Sequence, residues 1–325
     1  MANQVISFLL AVQTGNIRKL KAARQAARAE LQAADYAHAL NIAAEKGDTK
    51  ALITLSQLSN RQLNSLSYWN AATSAALKGH TQTMIKAFEL MATEPDINPG
   101  YGYIFIMACE KNYVDTAIKI HNLAKGTIYP EEISLAFESV AGQGSTKNVV
   151  KLHKQLKNQI WPGAYGTAFV RAALNGHLET AIKLRSLARA NITERDYRKA
   201  LEYAATHGHA DMVRVVHALA KGHKLEKAYS NAFINASENG HADVVITLHQ
   251  LAAAQIDAKH YGQALLNASR KGHTHTVTTL HTLANGKITP RDYIKAYQSA
   301  LFDGHTATAE QIAQLAPPST TAQPA

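Results

Sequence analysis

Sixteen histidines are the residues in this sequence best suited to chemistry near neutral pH, because an unperturbed imidazole changes charge there. Eleven of them fall into two columns. His80, His177, His209, His241, His273 and His305 each directly follow a glycine. His121, His153, His217, His249 and His281 recur eight residues further on in the same frame, with Arg185 standing where one is missing. A stacked histidine column could hold metal ions or sense protons. A metal site, however, needs several ligands converging on one point, and no acidic column accompanies these.

Cys109 is the sole cysteine, so neither an internal disulfide nor a thiolate cluster can form. That fits a reducing compartment and predicts a cytoplasmic protein. Cys109 occupies a position held elsewhere by alanine or serine, which marks it as a small core residue. The sequence carries no phosphate-binding glycine loop, no paired-carboxylate constellation and no serine-nucleophile motif. No cofactor is implied, and the chain reads as non-catalytic.

The histidine spacing belongs to a larger period. Taking the glycine before each histidine as an anchor gives Gly15, Gly47, Gly79, Asn112, Gly144, Gly176, Gly208, Gly240, Gly272 and Gly304. Every interval is 32 residues except Gly79 to Asn112, which is 33, with the extra residue in TEPDINPG. Tyr36, Tyr68, Tyr101, Tyr165, Tyr197, Tyr229, Tyr261 and Tyr293 lie 11 residues ahead of their anchors; Gln4 and Ile133 are the exceptions. A mostly apolar residue lies seven ahead (Phe105, Phe137, Phe169, Phe233) and alanine four ahead (Ala172, Ala204, Ala236). These offsets share one face of a helix. Val245, Leu248 and Leu251 repeat the pattern after the anchor. Each unit is therefore two amphipathic helices joined at a glycine turn.

The expected fold is all-α, an α-solenoid of about ten 32-residue helix-turn-helix repeats. The repeats predict a single array over residues 1–316, with the first and last units as caps and residues 317–325 as a disordered tail. MANQVISFLLAVQTG lacks the basic flank of a secretory signal and falls in register, so it reads as the first helix. No stretch is long enough to span a bilayer. Thr193, Thr289 and Asn98 read as N-caps, followed by Pro290 and Pro99 at the first helical position of two of them. Gly126, Gly222 and Gly286 read as glycines closing second helices. In this frame the first histidine column occupies the N-cap of the second helix, where Asn16, Asp48 and Ser145 stand in other repeats. A ring nitrogen is expected to accept a backbone N–H there. The second column is expected to form a half-buried ladder bonding between repeats.

The segments AATHGHADMVRVVHAL, ASENGHADVVITLHQL and ASRKGHTHTVTTLHTL resemble the ankyrin repeat, whose helices meet at such a Gly-His turn. The resemblance covers about half of each unit. The T-P-L-H opening is absent, Ala200, Ala232 and Ala264 stand where its proline would be, and no residues remain for a β-hairpin finger. The chain thus looks like a divergent ankyrin-like array. That resemblance implies a scaffold for protein–protein interaction, and it admits a role as a protein delivered by an intracellular bacterium into its host. The tyrosine and glycine spacing is also similar to pentatricopeptide repeats, which implies RNA binding as the alternative function. The residues at their base-reading position, Tyr103, Leu135, Thr167, Lys199, Asn231, Gln263 and Lys295, do not form the restricted polar set of that family.

Lys and Arg total 34 against 24 Asp and Glu, a net charge of +10 that favours an acidic protein or a nucleic acid as partner. Lys86, Lys119, Lys151 and Lys183 share one offset on the second helix as a basic stripe. Lys147, Lys154 and Lys157 accompany Lys151, and Arg18, Lys21 and Arg28 form a second basic group. Such stripes read as a solvated face or as a seat for an anionic partner. On the first helix, Met107, Arg171, Tyr203, Asn235, Asn267 and Ser299 lie five ahead of the anchor. They are predicted to point away from the core and to bind a partner, because they vary on a constant frame. The chain is expected to be a monomer.

Overall fold

Short, capped, alanine-rich segments dominate the chain, and among the described residues they form twenty α-helices and no strand. The structure is a computed structural model that describes residues 2–91 and 100–317. Its contacts divide into two compact units, Met1–Val140 with Val150–Trp161, and Ala141–Val149 with Pro162–Ala325.

The first unit holds the pairs α1 (Ala2–Gln13) and α2 (Ile17–Ala26), α3 (Ala33–Glu45) and α4 (Thr49–Leu58), α5 (Ser65–Leu77) and α6 (Thr81–Met91), and α7 (Tyr101–Glu110) and α8 (Val114–Leu123). The helices α9 (Pro130–Gly142) and α10 (Thr146–Leu156) contribute residues to both units. The second unit holds α11 (Pro162–Leu174) and α12 (Leu178–Leu187), α13 (Glu194–Thr206) and α14 (Ala210–Leu219), α15 (Glu226–Glu238) and α16 (Ala242–Ala252), α17 (Ala258–Arg270) and α18 (Thr274–Ala284), and α19 (Pro290–Phe302) and α20 (Thr306–Leu315). Each pair is one repeat of the period read from sequence.

Helices of 10–13 residues are marginal alone in water, so packing must hold them. Within each unit, first helices pack on first helices and second on second, giving two layers. Phe105, Phe137, Phe169 and Phe233 are fully buried between the layers. In several joints the ring of one repeat meets the tyrosine of the next edge-on: Phe8 and Tyr36 at 5.5 Å, Phe169 and Tyr197 at 5.3 Å, Phe233 and Tyr261 at 5.0 Å.

The anchor turn is a Schellman cap. At Gly208 (φ +78°), its N–H donates to Ala205 O at 3.3 Å and His209 N–H donates to Ala204 O at 2.9 Å. That left-handed φ favours glycine, and Asn112 (φ +64°), a side chain that tolerates it, fills the same place in the fourth repeat. Thr193 and Thr289 cap their helices as expected, each in a box with Asp196 or Asp292, and Pro290 opens α19. Gly126, Gly222 and Gly286 follow second helices with φ of +90°, +92° and +82°. Asn98, Pro99 and residues 318–325 of the expected tail lie outside the described residues. No helix among the described residues is long and apolar enough to cross a membrane.

Candidate functional site

The histidines join repeats. His177, His209, His241, His273 and His305 occupy the N-cap position by backbone, but none makes a side-chain cap hydrogen bond. The expected cap is corrected: the ring reaches back to the preceding repeat. Nε2 donates to Glu45 O from His80 (3.0 Å), Gly142 O from His177 (3.1 Å), Leu174 O from His209 (3.1 Å) and Thr206 O from His241 (3.1 Å). The ring also covers the preceding turn. A Cβ on Gly47, Gly144, Gly176, Gly208, Gly240 or Gly272 would stand 2.5–2.9 Å from a histidine Nδ1. The short side chains of Asn16 and Asp48 fold back onto their own helix and do cap it, where the larger imidazole extends across the joint.

The second column bonds between repeats, as the sequence suggests, but to tyrosines and not along itself. Nδ1 of His217, His249 and His281 lies 2.6, 2.6 and 2.7 Å from the hydroxyls of Tyr229, Tyr261 and Tyr293 in the following repeats. Ser56 serves Tyr68 at 2.6 Å, and Arg24 Nε donates to Tyr36 Oη at 3.1 Å. Burial pushes Tyr261 and Tyr293 above the ordinary phenol range, as it does Tyr229 with a smaller push from Glu226. They remain protonated, and each hydroxyl shares one hydrogen bond with the facing Nδ1. Burial first and Lys287 second hold His249 below its ordinary range. A further joint runs through the second layer, where Thr49 meets Thr83, Thr81 meets Thr116, and Thr274 meets Thr308, each at 2.7 Å.

Among the described residues, no three His, Cys, Asp or Glu side chains converge in a way that would hold a metal ion. Burial, with a smaller push from Glu110, raises the Cys109 thiol to about 12. So high a value keeps it from serving as a nucleophile.

The six residues five ahead of the anchor do not form one exposed row. Arg171 is exposed and Tyr203 is 42% exposed, while Met107, Asn235 and Ser299 are half-buried. Asn267 is 9% exposed, and the outward placement read from sequence is corrected for it. Gln263 donates to its Oδ1 at 2.8 Å, and its Nδ2 donates to Glu238 at 3.1 Å. Of the basic stripe, Lys86 pairs with Glu89 (2.9 Å) and Lys151 with Asp115 (2.8 Å). Lys119 is exposed, and Lys183, in the second unit, is half-buried.

The exposed row lies nine ahead of the anchor. Ile6, His38, Asn70, Tyr103, Leu135, Thr167, Lys199, Asn231, Gln263 and Lys295 are exposed in every repeat. The signal was in the helix period. At about 100° per residue, offset −9 falls opposite the −11, −7 and −4 face, while −5 falls on its flank. In the first unit, two members of this row border a polar groove of about 340 Å³ between α3 and α5. His38, Asn41, Ser67, Asn70, Thr73 and Ser74 line it. Asn41 Oδ1 is buried there without a hydrogen-bond partner, an acceptor available to an incoming N–H.

No protein family and no curated protein matches the chain. The chain is a helical-repeat protein. Two solved structures align with most of its length. One is the crystal structure of the pentatricopeptide repeat protein PPR10 from maize, 14% identical, covering 95% of this chain and 48% of that one, with a TM-score of 0.39. The other is a circular tandem repeat protein with novel repeat topology and enhanced subunit contact surfaces, 12% identical, covering 96% and 68%, with a TM-score of 0.16. The chain spans about half the length of the maize protein.

Proposed function

We propose that the chain is a non-catalytic scaffold that binds another protein along the outward row of its first helices, with residues 1–316 as its binding array. One observation carries this reading. The position nine ahead of the anchor is exposed in all ten repeats while its side chain changes from repeat to repeat. The near-constant residues are engaged in the joints, the histidine rings among them. The residues best suited to chemistry therefore have a mechanical task. The groove between α3 and α5 adds unmet hydrogen-bonding capacity on the same side, and the ankyrin-like turn and second helix support a protein as the partner. Arg171 and Tyr203, exposed on the flank, are types that often anchor interfaces. We place them at the edge of the binding row, and replacing both with alanine is expected to weaken binding without unfolding the chain. Lys119 is the member of the basic stripe best placed to meet an acidic partner, because Lys86 and Lys151 already face carboxylates.

Nucleic acid is the second reading, favoured by the net charge of +10. Affinity capture from native cells with and without nuclease, read by mass spectrometry, separates the two. A protein retained at equal yield after nuclease supports the scaffold. Loss of every partner on nuclease treatment, with binding to RNA that weakens steeply as salt rises, supports the second reading.

A further inference from the structure

Three asparagines in this chain stand directly before a glycine: Asn175, Asn239 and Asn285. Such a pair has a chemistry of its own. The glycine nitrogen can attack the carbonyl of the asparagine side chain, because no Cβ on the second residue hinders the approach. A fold prevents this in two ways. It holds the glycine N–H in a hydrogen bond, and it ties the side-chain amide to another partner.

The first two pairs have both protections, because they lie in the anchor turn. Gly176 N–H donates to Ala173 O and Gly240 N–H to Ser237 O, each at 3.2 Å. Asn175 Nδ2 donates to Gly142 O and to Arg171 O, both at 3.0 Å, and Asn239 Nδ2 donates to Asn235 O at 2.8 Å. The rings of His209 and His273 lie over the two glycines as well. The third pair lies in the link between α18 and α19 and has neither protection. Asn285, Gly286 and Lys287 are all exposed. Among the described residues, neither the Gly286 N–H nor the Asn285 side chain has a hydrogen-bond partner. Nothing lies within 4 Å of where a Cβ on Gly286 would stand. Asparagine suits the left-handed backbone of this position (φ +43°). The fold accepts another side chain there all the same: in the fourth repeat it is Lys125 (φ +46°), also followed by a glycine.

We propose that Asn285 is a site of spontaneous deamidation, which converts it to aspartate and isoaspartate in the folded chain. The Gly286 nitrogen forms a bond to Asn285 Cγ, and the bond from Cγ to Nδ2 breaks. Nδ2 leaves as ammonia, carrying the proton given up by Gly286. Water then opens the cyclic imide at either carbonyl. Water is consumed, ammonia is released, and no oxidant or reductant takes part. Opening at one carbonyl gives aspartate. Opening at the other leaves the main chain routed through the side-chain carbons, which adds a methylene to the link. Both products place a negative charge beside the C-terminal end of α18, where the helix dipole disfavours one. The link joins the helices that carry His281 and Tyr293, hydrogen-bonded at 2.7 Å, so the modification falls on the joint between the ninth and tenth repeats.

Peptide mapping by mass spectrometry tests this on the full chain aged at neutral pH in heavy-oxygen water. The label enters when the imide opens, so it separates conversion in the folded chain from conversion during handling. The expected result is labelling at Asn285 at least about tenfold faster than at Asn175 and Asn239, the factor expected where a turn must first open its hydrogen bond. In urea, where the turns are lost, the three sites should convert at similar rates. Asn285→Gln, whose longer side chain must close a larger ring, should stay unlabelled at this position with an unchanged melting curve. Labelling at Asn285 no faster than at the two turn asparagines of the folded chain overturns the proposal. So does a rate at Asn285 in the folded chain far below its rate in urea, which would show that the fold protects this site too.

Discussion

The joint between the fourth and fifth repeats and the joint between the eighth and ninth are built on one plan and finished differently. In the second, the Tyr261 hydroxyl and His249 Nδ1 are hydrogen-bonded at 2.6 Å. In the first, Ile133 stands in the tyrosine position, and His121 Nδ1 is buried with no hydrogen-bond partner. His121 Nε2 instead meets Gln159 Oε1 at 3.2 Å. Both joints are closed all the same, with Ile133 1% and Tyr261 0% exposed. Apolar packing therefore closes a joint, and the hydrogen bond is an added, separable part. The histidine column is a set of optional latches.

Substitutions can break the complete joint or repair the incomplete one. The largest effect is expected at Gly240, which combines a φ of +79° with a histidine ring lying over it. Gly240→Ala should cost about 3 kcal/mol, from left-handed backbone strain and the collision with His273. Gly304→Ala has the same backbone and open space beside it, so its cost should be about 1 kcal/mol. Urea unfolding of the two variants measures the difference, and equal losses would show that the ring contact is unimportant. Next, Tyr261→Phe should cost about 1–2 kcal/mol by leaving His249 Nδ1 in the state His121 already occupies. In the opposite direction, Ile133→Tyr should give His121 its donor and stabilise the chain by about 1 kcal/mol.

The smallest effect is on pH. The folded-state pKa of His249 is depressed, by burial and then by Lys287. The unfolded chain therefore takes up the proton first as pH falls below about 6.5. The stability from the neutral ring is complete above that value and declines as pH drops toward the folded pKa. Melting curves between pH 7.5 and 5 should show this decline, a small one for one partly exposed group. It should be smaller in His249→Gln. An equal decline in that variant would remove His249 as the cause.

The period, the helix pairs, the buried Phe-Tyr-Ala face and the Thr193 and Thr289 caps were legible in the sequence, because each follows from spacing along one helix or from local hydrogen bonds. The histidine partners were not. A residue after a helix-ending glycine sits in an N-cap whether its side chain folds back, as Asp48 does, or reaches across to a neighbour, as His241 does. Side-chain length decides between them, and spacing does not report it. Asn267 was expected to point outward and does not, for a related reason. The −5 position lies on the helix flank, where the neighbouring repeat determines burial; Glu238 of one repeat draws Asn267 of the next inward. The −9 row could have been found by taking the direction opposite the tyrosine, phenylalanine and alanine positions.

The division between constant joints and a variable binding row is tested most directly by one chain carrying Thr167→Ala, Lys199→Ala and Asn231→Ala, all exposed in the second unit. Its capture of the native protein partner is measured at a temperature well below the melting transition. The account predicts an unchanged melting curve and at least about tenfold weaker capture, equivalent to about 1.4 kcal/mol. Capture equal to that of the unaltered chain would contradict it.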